Sequence, residues 1–128
     1  EIINSKNIRF KGSSMTKFEK IVNTIKNKDI QFMKDIIHPD FMLIRESGLV
    51  SREEQVAYLD KLFDGDTLWL DFKCCYEDED TLVWKDLMEI KSEGKKFLVT
   101  NHEAYKDSQI WRIMLNVKEV SKDMDKIA

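Results

Sequence analysis

Two residues in the C-terminal half of the sequence could together carry acid–base chemistry, His102 and Asp86. Asp86 interrupts an alternating strand face that is otherwise apolar, and a carboxylate there is costly unless it is paired or placed for chemistry. A free imidazole titrates near ~6.5, so a histidine oriented by this aspartate would exchange a proton near neutrality. We predict a catalytic pair at an interior cavity. Two alternatives are a structural pair that satisfies only itself and a pair that orients a ligand.

The residue beside Asp86 depends on the turn near Gly94. If that turn contains a bulge, His102 lies diagonally across from Asp86 on the neighbouring strand. If it is a plain two-residue turn, Asn101 and Glu103 take those positions, because a shift of one residue exchanges the two faces of a strand. The sequence alone leaves both registers open.

Further residues are predicted to contact a ligand in the same cavity. Arg45 shares a strand face with Phe41 and Leu43, so its guanidinium could bind a ligand carboxylate through two hydrogen bonds. Exposure of Arg45 at the end of its strand is the alternative. The predicted ligand-binding residues are Arg45, Trp84, Met88, Thr100, Trp111 and Ile113.

Other kinds of site lack their sequence signals. The chain has 2 cysteines and 2 histidines, with no Cys-x-x-Cys or His-x-x-x-His spacing, so we predict no metal site. It has neither a glycine-rich phosphate loop nor a Gly-x-Ser-x-Gly elbow, and we predict no cofactor. Cys74 and Cys75 are adjacent, and we expect both to be reduced thiols.

Composition restricts the partners that we expect. The 128 residues, 42% hydrophobic and 35% charged, suit one globular domain. A net charge of -3 argues against nucleic-acid binding. No apolar run approaches the ~20 residues of a membrane span, and no secretory signal opens the chain. We therefore expect a soluble, cytoplasmic protein that binds a small molecule and neither nucleic acid nor membrane.

The hydrophobic periodicity predicts the elements that position these residues. Capping boxes at Thr16–Glu19 and Ser51–Glu54 predict two helix starts, and Asp29 caps a short helix between them. After Gly65 the apolar period changes from 3.6 to 2, which is typical of strands. Because three helices cannot cover both faces of a large sheet, they should pack on one face. The predicted fold is α+β, a curved antiparallel sheet wrapped around three N-terminal helices, with an interior pocket.

The same patterns divide the chain into three parts. We expect residues 1–15 to form a flexible extension and residues 16–120 to form the cone-shaped domain. Residues 121–128 should be a frayed polar tail.

Three stretches resemble the nuclear-transport-factor-2-like superfamily. Residues 36–41 (IIHPDF) and 46–54 (ESGLVSREE) are similar to a branch related to the association domain of calmodulin-dependent kinase. Residues 105–112 (YKDSQIWR) are similar to the final hairpin of the family, with Ser108 where many members have glycine. The resemblance covers residues 16–120.

This resemblance implies the cystatin-like α+β cone of SnoaL-type cyclases and ketosteroid isomerases. It implies a small-molecule-binding protein, with cofactor-free acid–base catalysis of the isomerase, dehydratase or hydrolase type as one possibility. The alternative is a non-catalytic ligand-binding or association module, because one fold hosts many functions. Where the isomerases have their catalytic aspartate, this sequence has Arg45 or Glu46, and Ile21 stands near the position of their oxyanion tyrosine. Ketosteroid isomerisation is therefore not carried over.

The outer face of the predicted sheet indicates self-association. It carries apolar residues among charges, and no helix remains to cover them. We predict a homodimer formed sheet against sheet, as the resemblance also implies. The apolar residues assigned to this face are Val83, Leu87, Ile110 and Met114.

Overall fold

The computed structural model of the protein describes residues 15–128, so the predicted N-terminal extension lies almost entirely outside the described residues. Within them the helices are α1 (Lys17–Asn27), α2 (Ile30–Asp35) and α3 (Arg52–Leu62). The strands are β1 (Ile37–Arg45), β2 (Gly48–Ser51), β3 (Thr67–Glu77), β4 (Thr81–Ile90), β5 (Lys95–Lys106) and β6 (Gln109–Val120). None of these helices is long and apolar enough to span a membrane.

Both predicted capping boxes are present and begin α1 and α3. Thr16 Oγ1 accepts from the Glu19 N–H at 3.0 Å, and the Glu19 carboxylate accepts from the Thr16 N–H at 2.9 Å. Ser51 and Glu54 make the equivalent pair at 3.2 and 2.9 Å. Each box satisfies two backbone donors that the first helical turn leaves without partners.

Six strands form one open, curved sheet in the order β2-β1-β6-β5-β4-β3. All neighbouring pairs are antiparallel except β1 and β6, which run parallel. The sheet is therefore antiparallel as predicted apart from this one pair. The β1–β6 ladder is irregular between Ile37 and Met42, where Pro39 has no N–H to donate.

The helices pack on one face of the sheet, which confirms the predicted α+β cone. The core joins Ile21 and Ile25 of α1 to Phe41 of β1, Trp84 of β4 and Ile113 of β6. Burying this apolar surface is the main driving force for the fold. The curvature leaves a cavity between the helices and the inner face.

The C-terminal residues lie against the outer face of the sheet. Three hydrogen bonds hold them: Lys96 Nζ to the Met124 carbonyl (2.8 Å), the Ile127 N–H to Asp71 Oδ2 (2.8 Å) and Lys73 Nζ to the Ala128 carbonyl (2.7 Å). The segment thus runs from β5 to β3 across β4, whose outward-facing Leu87 is 0% exposed. Residues 121–128 are therefore a covering segment of the outer face, and the predicted fraying is wrong.

Candidate functional site

An interior cavity of about 480 Å³ lies between the three helices and the inner face of the sheet. Its walls are mostly apolar, and they include Ile21, Phe41, Trp69, Met88, Phe97 and Leu115. A volume in this range is typical of small-molecule sites in proteins. The polar groups in the wall are few, so each one has a defined place relative to any ligand.

These polar groups divide between a buried floor and an exposed mouth. Asp86, Asn101 and Glu103 form the floor, and their exposed fractions are 5%, 7% and 3%. Arg45 of β1 and Tyr58 of α3 lie at the mouth, where both are exposed, and the exposed Glu54 and Glu93 are also part of the wall. A ligand that enters from the mouth therefore meets the acidic floor only after it has left water.

Asp86 lies on the inner face of β4, as its position in the alternating pattern predicted. Its Oδ2 accepts a hydrogen bond from Asn101 Nδ2 at 3.1 Å. Within residues 15–128, its Oδ1 has no hydrogen-bond partner. Burial raises the pKa of Asp86 from its ordinary 3.8 to about 7, and the Asn101 hydrogen bond offsets part of this rise. Asp86 can therefore both accept and donate a proton near neutrality.

Glu103 of β5 is the second buried acid, but both of its oxygens are occupied. Oε2 accepts from Trp84 Nε1 and Oε1 accepts from the Tyr105 hydroxyl, each at 2.9 Å. Burial raises the pKa of Glu103 to about 7; the two hydrogen bonds oppose this rise and the charge of Asp86 adds to it. Because its acceptors are already used, Glu103 holds Trp84 and Tyr105 in place, whereas Asp86 has an oxygen available to a ligand.

The mouth carries the one basic side chain that the structure places in the cavity wall. The Arg45 guanidinium has no hydrogen bond or ion pair with any residue between 15 and 128. Burial raises the pKa of the Tyr58 hydroxyl, and the positive charge of Arg45 offsets part of this rise. The same charge contributes a little to the lowered pKa of Glu54. Arg45 is thus exposed at the end of β1 and at the entrance of the cavity, and its role in ligand binding stays a prediction.

The predicted placement of His102 in the cavity is wrong. In the β4–β5 ladder Ile90 pairs with Lys95, and this register pairs Val83 with His102. His102 is therefore on the outer face, where it is exposed. The loop of residues 91–94 has four residues, so it is neither the bulged turn nor the plain two-residue turn that the sequence suggested. Because four is an even number, it orients the strand as a two-residue turn would, with Asn101 and Glu103 facing inward.

Trp111 and Thr100 also lie outside the cavity wall, contrary to prediction. Ala104 pairs with Arg112 and the next residue, Tyr105, pairs with Ile110, which leaves Trp111 as the extra residue of a bulge in β6. The bulge moves Ile110 to the inside, where it is 2% exposed. The Arg112 guanidinium instead lies over the Trp111 ring, with its Cζ 3.9 Å from the ring centroid. Thr100 shares the outer face with His102, two residues away on β5.

The remaining predicted ligand-binding residues do line the cavity. Arg45, Trp84, Met88 and Ile113 are all in its wall. The structure thus brings one of the two predicted catalytic residues together with four of the six predicted ligand-binding residues. Sequence reasoning gave Asn101 and Glu103 only as alternatives, although Phe97 and Val99 share their strand face and are the kind of apolar residues that indicate an inner face.

The other titratable clusters lie away from this cavity. His38 is buried at the start of β1, where its Nε2 is 3.4 Å from Asp107 Oδ2 and its Nδ1 accepts from the Asp40 N–H at 2.9 Å. Cys74 and Cys75 are exposed free thiols on β3. No group of three or more His, Cys, Asp or Glu side chains within residues 15–128 is arranged to hold a metal ion.

Comparison with solved structures shows which fold this is. An NTF2-like protein from Cytophaga hutchinsonii aligns with a TM-score of 0.63 at 10% identity, over 82% of this chain and 93% of that one. A protein provisionally assigned as a polyketide cyclase, from Sinorhizobium meliloti, aligns at 0.58 and 12%, over 73% and 87%. One provisionally assigned as a ketosteroid isomerase, from Kribbella flavida, aligns at 0.61 and 9%, over 77% and 73%.

At these identities the likeness establishes the fold alone. The chain has the nuclear-transport-factor-2-like fold, which confirms the fold that its sequence resemblance implied. Comparison of the sequence with protein-family models and with curated proteins finds no match.

Proposed function

We propose that the protein binds a small, largely apolar molecule in its cavity and moves a proton to or from it through Asp86, without a cofactor. One observation carries the proposal: Asp86 is a buried carboxyl group in the wall of a mostly apolar cavity, and one of its oxygens has no hydrogen-bond partner among residues 15–128. A general acid or base works best when its pKa is near the working pH. Burial raises the pKa of Asp86 to about 7.

The other residues have supporting roles in this proposal. Asn101 orients Asp86 by donating to Oδ2, which leaves Oδ1 to the ligand. Trp84, Met88 and Ile113 contact the apolar body of the ligand, and Arg45 contacts the end of the ligand nearest the solvent. Isomerisation, dehydration and hydrolysis all include a proton transfer of the kind that one carboxyl group can perform.

The fold neighbours support a ligand cavity as the functional part of the molecule. Two of them are provisionally assigned as a polyketide cyclase and a ketosteroid isomerase. The predicted His102–Asp86 catalytic pair is not part of the proposal, because the two side chains lie on opposite faces of the sheet. Asp86 with Asn101 takes its place.

The test uses nitrobenzisoxazole, an apolar heterocycle whose isoxazole ring opens when a base removes the one C–H proton of that ring. The proton passes to Asp86, the C–H electrons form the nitrile, and the N–O bond breaks to release a phenolate that absorbs visible light. We expect ring opening that saturates with probe concentration and increases with pH around a midpoint near 7. Asp86→Asn should lower the rate at least ~tenfold, since it removes the base but keeps the size of the side chain.

Glu89→Gln is the matched control, because it removes one negative charge from the same strand at a residue that faces outward with Lys96. It should leave the rate unchanged. An Asp86→Asn variant that opens the ring as fast as the native protein would contradict the acid–base role. Saturable binding of the probe without reaction would leave the non-catalytic ligand-binding module as the function.

Association through the outer face is a separate part of the proposal. Of the apolar residues on which the predicted dimer was based, Ile110 is in the core and Leu87 is 0% exposed, on the part of the outer face that the C-terminal segment crosses. Met114 is 59% exposed, and its register partner Ile44 is 37% exposed. We propose a homodimer through β1 and β6, which Met114→Lys should convert to monomer in light scattering; a native protein that is already monomeric would contradict it. A cytoplasmic location remains a prediction.

A further inference from the structure

We infer that the molecule this cavity accepts is a hydrophobic amine, whose protonated nitrogen lies between Asp86 and Asn101 while its apolar body extends toward the mouth. The inference rests on the proposed ligand-binding function and adds the chemical class of the ligand.

The distribution of charge along the cavity is the first reason. Both ionisable groups of the floor, Asp86 and Glu103, are acids, and both are buried. Arg45 is the one cationic side chain among the described residues of the wall, and it lies at the exposed mouth, where water and salt screen its charge. The floor is therefore favourable for a cation and unfavourable for a second anion.

Hydrogen-bonding capacity at the floor is the second reason. Asn101 Nδ2 donates to Asp86 Oδ2 and, at 3.4 Å, to the Trp84 carbonyl. Among residues 15–128, nothing donates to Asp86 Oδ1 or to Asn101 Oδ1. The groups left over are therefore acceptors. An ammonium group supplies three N–H donors and no acceptor, an alcohol supplies one donor, and a carboxylate supplies none.

The walls suit the remainder of such a molecule. Aromatic side chains surround the space above the floor, namely Phe41, Phe63, Trp69, Trp84 and Phe97. Aromatic rings accommodate apolar groups, and their faces also attract cations once water has been excluded. A bulky apolar amine would thus be complementary to both ends of the cavity.

A protonated amine would also offset the electrostatic cost of burying an ionised Asp86 carboxylate in the floor. Without a ligand, burial keeps Asp86 partly protonated at neutral pH, with its pKa near 7. An adjacent ammonium favours the carboxylate, so binding should release a proton from Asp86. A group with this pKa is about 9% ionised at pH 6 and about 91% at pH 8, so amine affinity should increase about tenfold between these values.

The experiment compares three naphthalene probes of nearly equal size, carrying aminomethyl, hydroxymethyl and carboxylate groups, by calorimetry at pH 8. We expect the amine to bind at least ~tenfold more tightly than the alcohol, and the carboxylate to bind most weakly. A second set of measurements at pH 6, where free Asp86 is about 91% protonated, should show a heat of amine binding that depends on the ionisation enthalpy of the buffer, because binding releases that proton.

Two variants separate the charge of Asp86 from the shape of the cavity. Asp86→Asn should lower amine affinity at least ~tenfold, reduce its pH dependence to the part that Glu103 contributes and leave alcohol affinity within about twofold. Glu89→Gln removes an outward-facing carboxylate from the same strand and should change none of these values.

The outcomes distinguish this inference from the proposal that it extends. If the alcohol or the carboxylate binds as tightly as the amine, or if Asp86→Asn keeps the preference for the amine, the ligand class is wrong and the cavity remains a binding site. If none of the three probes binds, the proposed ligand-binding function is wrong as well.

Discussion

The acids of the cavity floor and the acids of the turns use the same functional group in opposite ways. Asp86 and Glu103 are buried on the neighbouring strands β4 and β5, and burial raises the pKa of each to about 7. Asp66 and Asp78 lie in exposed turns, and hydrogen bonds lower the pKa of each below its ordinary 3.8. The environment, rather than the residue type, decides which acids can exchange protons at neutral pH.

The turn acids are charged because donors surround them. Asp66 accepts from the Ser92 hydroxyl at 2.6 Å and from the Ser92 N–H at 2.9 Å, and these bonds join the start of β3 to the β4–β5 loop. Asp78 accepts from the Tyr76 hydroxyl at 2.8 Å and from the backbone N–H groups of Asp80 and Thr81. Such carboxylates fasten turns and are poor proton acceptors.

The largest expected effect is on the pH dependence of stability. Between pH 4 and 7, the folded protein keeps protons on Asp86 and Glu103 that the unfolded chain has released, so its stability should fall as pH rises. For one acid whose pKa differs this much between the folded and unfolded states, the free energy of unfolding should decrease by about 3–4 kcal/mol between pH 4 and 7. Urea unfolding across the pH range should show this decline, and Asp86→Asn should make it shallower.

The turn acids should act in the opposite direction and at lower pH. Because the pKa of Asp66 is lowered, its stabilising contribution is present above the ordinary value and is lost as pH falls through the folded value. Asp66→Asn should therefore destabilise the protein at pH 7 and have little effect once the native aspartate is protonated. For the floor acids, the comparison would be contradicted if the free energy of unfolding of Asp86→Asn fell with pH above 4 as steeply as that of the native protein.

A smaller effect is expected from removing the acceptor that holds the floor together. Glu103→Ala leaves the Trp84 N–H and the Tyr105 hydroxyl buried without their acceptors, and it should lower the free energy of unfolding by about 2–3 kcal/mol at pH 5.5. Glu103→Gln keeps a carbonyl acceptor and should lose much less. Equal losses for the two variants in urea unfolding at that pH would mean that packing, not hydrogen bonding, is what Glu103 provides.

The smallest expected effect is at the acidic turn of residues 77–80. Glu77 accepts from the backbone N–H groups of Lys17 and Phe18 at 3.0 and 3.3 Å, so it caps the N-terminus of α1 from a neighbouring strand. Glu77→Ala should cost about 1 kcal/mol in urea unfolding, the usual value of a lost cap. Glu79→Ala is the control, and a loss as large as that of Glu77→Ala would assign the effect to net charge.

The sequence predicts the elements well because the signals for them are local. The Thr16 and Ser51 capping boxes mark α1 and α3, and the change of period after Gly65 marks the strands. Asp86 is found because it interrupts an apolar face, and a single strand is enough to show this.

The errors arise where non-local packing decides. The β6 bulge at Trp111 contains no glycine that would indicate it in the sequence. The Trp111 ring there makes cation–π contacts with Arg112 and with the Lys106 ammonium, which is 5.4 Å from the ring centroid. The C-terminal segment is polar in composition, yet backbone groups of Met124 and Ile127 contribute to its hydrogen bonds with the sheet. Composition and periodicity do not report contacts of backbone groups.

The most direct test of the account is a carbon-13 NMR titration of the side-chain carboxyl groups, with Asp86→Asn and Glu103→Gln used to assign the two floor resonances. We expect the two acids to titrate as a coupled pair with apparent midpoints near 7, well above those of Asp66 and Asp78. In each variant, the remaining acid should titrate at a lower midpoint, because its neighbour no longer carries a charge. Midpoints near 4 for both acids in the native protein would contradict the account, since the floor would then be permanently charged at neutral pH.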